Sequence, residues 1–213
     1  MENPFTSRPA IRLALLAATG VIAAACSSSP QSPSGTTPAT PAASQPASAP
    51  PAAAATESAP PGDIPDSTVF VPYQFTVGSL EVKVPEGWAR TETAGTASFT
   101  DKLNTITLTT VKAAAPTPTS AQVTEVPRLR GSLRNFALTS VSPVTRPAGT
   151  GVLIKYDAAS QPDPVTGKVY TDEVEQYEFY RGGVVAIVTL SGPQGADNVD
   201  PWRTVTDSFR WLP

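Results

Sequence analysis

The chain has 213 residues, 24 of them proline, with one cysteine, no histidine and a formal net charge of −3. Without histidine, Ser-His-Asp and Cys-His nucleophile systems and every histidine-based metal site are excluded. The slight negative charge offers nothing to a phosphate backbone, so nucleic acid is not an expected partner.

Residues 1–12 carry Arg8 and Arg12 and lead into an apolar run over residues 13–25. That run, about 13 residues, falls short of the roughly 20 a spanning helix needs. A basic start, a short apolar stretch and small residues before a cut match a secretory signal peptide. The lone cysteine follows at once, in Ala23-Ala24-Ala25-Cys26. This resembles a bacterial lipobox, in which the thiol takes a diacylglyceryl group and becomes the new N-terminus. Ala23 stands where leucine is commonest. The alternative is an ordinary signal peptide followed by a chance cysteine. Each buried methylene contributes roughly 0.8 kcal/mol and one myristoyl chain is only marginal, so two or three chains give a lasting anchor. Residues 1–25 are therefore expected to be a lipoprotein signal peptide and Cys26 the lipidation site. The expected location is the cell membrane, on its extracytoplasmic side. An acylated Cys26 leaves no thiol for a disulfide, for zinc or for redox work, so the exported domain must be held by its core alone.

Residues 26–62 follow as a tether of Ser, Pro, Ala, Thr and Gln, with Glu57 the one charged side chain between Ser27 and Pro61. Such a segment buries too little surface to offset its ordering entropy. Coil scaling over about 35 residues gives roughly 30 Å end to end, and full polyproline extension roughly 110 Å. Clearance from the bilayer is the expected role. A Pro-rich docking motif is the alternative, and the Ser and Thr residues permit O-linked sugars.

Residues 63–213 suffice for one domain. Val69, Val71, Tyr73, Phe75 and Val77 alternate as a strand does, and Leu80, Val82 and Val84 alternate again with Glu81 and Lys83 facing out. Pro85-Glu86-Gly87 reads as a type I turn with proline second and glycine fourth. Trp88 is expected to pack beneath it. Residues 97–100 form a short strand, residues 101–104 a turn and residues 105–111 a further strand. Thr119 and Gln122 have the spacing of a capping box. Val123, Val126, Leu129, Leu133 and Phe136 then recur at helical spacing. Pro127 predicts a break, with a second helix starting close to it.

Residues 136–144 and 151–156 are expected strands, and Asp163-Pro164-Val165-Thr166-Gly167 a loop. Residues 168–180 form a long strand with Tyr177 and Phe179 inward, and Arg181-Gly182-Gly183 closes a hairpin. The apolar run over residues 184–190 predicts a central strand covered on both faces. Asn198 or Asp200 caps a last helix with Pro201 in its first turn. Trp202, Val205 and Phe209 share one face of it, and residues 208–211 form an edge strand. The expected fold is α+β: a twisted, mainly antiparallel sheet sandwiched by helices.

Carboxylate chemistry is what the composition leaves open. Glu173 and Glu175 share a strand face, so a paired-carboxylate hydrolase acting on wall glycan is a minor alternative, against a solvated strand end. Asp197, Asn198 and Asp200 lack the rest of a calcium pattern, and capping accounts for them. No metal and no cofactor is expected. Arg128, Arg130 and Arg134 make the one basic cluster; Arg130 and Arg134 stand one helical turn apart, as contacts for an acidic partner or anionic head groups, or as a solvated face. Trp88 and Trp202 are candidates for an apolar pocket, with core packing as the plain alternative.

Val84-Pro85-Glu86-Gly87-Trp88 and residues 190–211 (LSGPQGADNVDPWRTVTDSFRW), behind the lipobox and the tether, resemble the LpqN/LpqT-type lipoproteins of mycobacteria and other actinomycetes. Their domain is similar to the PsbP fold, in which helices sandwich an antiparallel sheet. The resemblance implies a non-enzymatic envelope protein acting as a binding or scaffold module, with an envelope protein or a lipid as partner. A carrier for lipids or another apolar ligand is the alternative, and it requires a cavity between sheet and helix. No catalytic residue transfers.

Overall fold

The computed structural model describes residues 61–213; the expected leader, Cys26 and nearly all of the tether lie outside them. The strands are β1 (Phe70–Phe75), β2 (Leu80–Pro85), β3 (Ala89–Thr93), β4 (Thr96–Asp101), β5 (Asn104–Lys112), β6 (Ala137–Arg146), β7 (Gly149–Ala159), β8 (Thr171–Arg181), β9 (Val184–Pro193) and β10 (Arg210–Trp211). Seven of them form an antiparallel sheet in the order β3-β4-β5-β9-β8-β7-β6, and β1-β2-β10 form a second, smaller one. Helical turns α1 (Pro118–Ser120) and α2 (Val126–Ser132) flank a π turn at Ala121–Glu125, and α3 (Val199–Ser208) follows β9.

Strand alternation divides the large sheet into two faces. On one, Phe99, Ile106, Leu108, Phe179, Val188 and Leu190 pack with Leu80, Val82 and Val84 of β2 and with Trp202, Val205 and Phe209 of α3 and its C-terminal end. On the other, Ala121, Val126 and Leu129 cover Val152, Ile154, Tyr156 and Val174. Each Val, Leu, Ile or Phe among them contributes about 1.5–3 kcal/mol relative to exposure. The sheet is thus sandwiched, as the patterning predicts. The central strand β9 lies between β5 and β8. Its Ala186, Val188 and Leu190 are fully buried, whereas Ile187 and Thr189 on the second face are half-buried. That face is only partly covered at β9, because the second cluster is built on β7 and β8.

Several local expectations are corrected. Val69 and Val77 flank β1 rather than extending it and are exposed. The Pro85 turn falls one residue later, with Glu86 and Gly87 at its centre. Gly87 has φ +79°, which a third turn position of type II requires and type I does not. β3 was not expected: all five of its residues are exposed, so no apolar alternation marks it. Glu81 does not face solvent. It is 8% exposed, accepts from Gln74 Nε2 at 3.1 Å and pairs with Arg210, because β10 closes over that side of β2.

The capping box sits on Thr117 and Ser120, not Thr119 and Gln122. Thr117 Oγ1 accepts from Ser120 N at 3.0 Å and Ser120 Oγ accepts from Thr117 N at 2.8 Å. Pro118 explains the shift, since proline suits a first helical position. A second helix, α2, does start beside Pro127, which sits in its first turn, but Pro127 does not break the segment. Val126 N donates five residues back to Ala121 O, and this wider turn takes up the misfit of a residue without an N–H. The extra residue also rotates Val123 out of line with Val126 and Leu129, and Val123 is 72% exposed. Asn198 occupies the N-cap position of α3 but makes no side-chain capping bond, because its amide is used elsewhere.

Candidate functional site

Alternation and register bring Leu153, Lys155 and Asp157 of β7 opposite Tyr177, Glu175 and Glu173 of β8, on the face that carries α3. Beside α3 this face is open. It forms two adjoining depressions, one of about 320 Å³ lined by Arg146, Tyr177, Val199 and Arg203, the other of about 300 Å³ lined by Asp157, Glu173 and Trp202; Lys155 and Glu175 line both.

A chain of polar contacts runs along this groove. Lys155 Nζ pairs with Glu175 Oε1. Tyr177 Oη donates to Glu175 Oε2 at 2.6 Å. Arg146 Nη2 donates to Tyr177 Oη at 3.2 Å, and its guanidinium lies 5.4 Å from the centre of that ring. Arg146 Nε donates to Thr206 Oγ1 at 3.1 Å and stands 3.3 Å from Asp207 Oδ1. Asp207 also pairs with Arg203 of the preceding helical turn. Burial first, then the hydrogen bond to Glu175, pushes the Tyr177 hydroxyl up to about 12, so it stays protonated and donating. Glu173 and Glu175 do share the face, but Glu175 is taken up by Lys155 and Tyr177. The groove offers fixed, alternating charges beside Trp202 and the exposed Val199.

The sequence's other candidates are placed as follows. Arg128 is engaged by Glu125, with Nε donating to Oε2 at 2.8 Å. Arg130 lies over the Phe136 ring at 5.7 Å. Arg134 lies beyond the end of α2 at Ser132 and donates to Ser160 O at 3.3 Å, so it does not share a helix face with Arg130. Trp88 and Trp202 are not brought together. Trp202 is buried in the main core and edges the groove, while Trp88 lines depressions near Asp63, Asp101 and Tyr73. Among the described residues no group of three or more His, Cys, Asp or Glu is arranged to hold a metal. Arg146 was missed. The signal for the groove was the run of charges at alternate positions in two successive strands, which becomes a set of pairs once the register is known.

Asp172 carries a strain of its own. Its Oδ1 is buried without a hydrogen-bond partner, and burial pushes its carboxyl from 3.8 up to about 6. The native state therefore binds this proton more tightly than the unfolded chain. No penalty exists below pH 4, where both states are protonated, and it grows to its full size above pH 6. The shift corresponds to about 3 kcal/mol; solvent screening of a half-exposed group reduces that to about 1–2 kcal/mol. Asp172→Asn is expected to be more stable than the parent by that amount at pH 7, with the difference gone by pH 4. Thermal melts across this range measure it.

The class that this architecture defines is the PsbP-like fold. No family model and no curated protein matches the chain. Among solved structures, the cyanobacterial PsbP of Synechocystis covers 71% of this chain and 98% of its own, at 15% identity and TM-score 0.50. LpqN of Mycobacterium tuberculosis, described as involved in cell envelope biogenesis, covers 70% of this chain and 93% of its own, at 14% identity and TM-score 0.44. A crystal structure from Bacteroides thetaiotaomicron covers 67% of this chain at 13% identity and TM-score 0.44, and this chain spans only 48% of that longer protein. At such identities the likeness is one of fold.

Proposed function

We propose that this protein is a lipid-anchored envelope protein that works by binding, with the groove beside α3 as its docking surface for a protein of envelope assembly. The observation that carries this reading is the Lys155–Glu175–Tyr177–Arg146–Asp207 chain. It holds five polar side chains from four elements in fixed positions on a rigid sheet, next to Val199, which is 72% exposed. Preset charges beside an unpartnered apolar side chain suit recognition of a complementary surface. No helix of the described residues is long and apolar enough to cross a membrane, and in this reading attachment falls to Cys26. The carrier alternative needs space between α3 and the sheet, where Trp202, Val205, Thr206 and Phe209 are buried.

Two measurements test it. Intact mass of the membrane-extracted protein is expected to show a chain starting at acylated Cys26; an unmodified thiol on a protein free in the medium would overturn the anchor. A photo-crosslinking amino acid placed at Val199 of the full chain is expected to give discrete envelope adducts. The same group at Val123, equally exposed at 72% but on the opposite side of the sheet, is expected to give none. Equal yields at the two positions would sink the groove as the docking surface.

A further inference from the structure

We propose that residues 117–133 form a proton-gated lid, docked on the second face of the sheet through Glu178 in acid and loosened as pH rises, which uncovers the apolar surface of β7 and β8. The segment is laid across the sheet rather than woven into it. Ala121, Val126 and Leu129 cover Val152, Ile154, Tyr156 and Val174. Among the described residues, one side-chain hydrogen bond joins this segment to the sheet: Gln176 Nε2 donates to Glu125 Oε1 at 2.8 Å. Glu125 belongs to the π turn, so the contact rests on the irregular part of the helix.

The same Gln176 nitrogen donates to Glu178 Oε1 at 2.9 Å. One amide therefore bridges two carboxylates, and Glu178 is only 6% exposed. Glu125 and Arg128 face it from the lid and Gln176 from its own strand; Val152 of β7 and Ile187 of β9 stand in register on either side, and Tyr156 of β7 acts on Glu125 and Arg128 instead. Arg128 spends its guanidinium on Glu125 through a two-pronged contact, so a charged Glu178 meets a second carboxylate with only an amide between them. Burial raises the Glu178 carboxyl above the usual glutamate range; the Gln176 bond opposes this, Glu125 adds to it and Arg128 opposes it. Lifting the lid returns Glu178 to water and to its ordinary affinity for protons. The docked state thus holds a proton that the open state releases. Docking is strongest below the ordinary glutamate range, weakens as pH climbs from there through the raised value, and is level above it.

Hydrogen exchange of the full chain, corrected for intrinsic rates, tests this. Protection of residues 121–132 is expected to be severalfold higher at pH 4 than at pH 8, because the docked state gains from the Glu178 proton only while that proton is bound. In Glu178→Gln, which keeps shape and hydrogen bonding without the charge, protection is expected to be flat across that range. A flat parent, or the same slope in the variant, overturns the proposal. Should the variant misfold, a carboxyl NMR titration of the parent decides: Glu178 and the Val126 and Leu129 amides must share one midpoint, and separate midpoints overturn it.

Discussion

Phe209→Ala is expected to destabilise the domain by about 3–5 kcal/mol. Phe209 is 1% exposed. Its ring stacks on Phe179 at 4.9 Å with the planes 21° apart and meets Trp211 edge-on at 5.4 Å. Phe179 belongs to the large sheet, and Trp211 to β10, which pairs with β2. One side chain therefore joins the large sheet to the small one at the end of α3. Aromatic pairs of this kind add about 0.5–1.5 kcal/mol beyond area burial, so the loss belongs in the upper part of the range. Against a typical domain stability of about 5–15 kcal/mol, the variant is expected to be partly unfolded at 37 °C. Urea unfolding followed by tryptophan fluorescence measures the change, with Trp211 as a local reporter. Phe209→Leu keeps most of the volume and is expected to lose less than half as much. A loss below 1 kcal/mol for the alanine variant would show that the two sheets are joined elsewhere.

The fold was legible wherever apolar residues carry the pattern. β5 and β7 bury alternate side chains, β8 and β9 carry apolar runs buried in part on both faces, and α3 buries Trp202 and Val205 one turn apart with Phe209 at its end. In each case burial wrote the element into the sequence. What stayed illegible was set by contacts with distant chain. Nothing within β3 marks its exposed residues as a strand; pairing with β4 does. Glu81 has the pattern of an outward residue, and only the arrival of β10 and Arg210 covers it. The π turn is a compromise between a helical pattern and Pro127, and sequence spacing shows the conflict without its resolution. The groove was half legible: Glu173, Glu175 and Trp202 were singled out from sequence. Their partners Lys155 and Arg146 depend on a register that spans β6 to β8.

Asn198→Ala is expected to cost about 2–4 kcal/mol and to release the start of the domain. Asn198 is 3% exposed, and helix capping would be an unusual use of so buried an amide. Its Oδ1 accepts from Ile64 N at 2.8 Å. Its Nδ2 donates to Gly62 O at 3.1 Å and to Asn104 Oδ1 at 3.0 Å. Asn104 donates in turn to Gly62 O at 2.7 Å. Residues 62–64 are thus held by two buried amides whose donors and acceptors are matched. Gly192 lies against the pair: a Cβ there would fall 2.5 Å from Asn104 Oδ1 and 2.8 Å from Asn198 Nδ2. Truncating Asn198 leaves the Ile64 N–H and Asn104 Oδ1 without partners, at about 1–3 kcal/mol each. Asn198→Asp tests the mechanism more sharply. It keeps the acceptor for Ile64 but replaces the donor with an oxygen facing two others, so at neutral pH it is expected to be at least as damaging as alanine. Acid, by protonating the new carboxyl, is expected to restore part of the loss. Exchange of the Ile64 amide reads the local effect, and its protection is expected to drop about tenfold or more, since 1.4 kcal/mol is a factor of ten. Unchanged protection of Ile64 in both variants would mean that the start of the domain is fixed by packing of Ile64 alone, not by these amides.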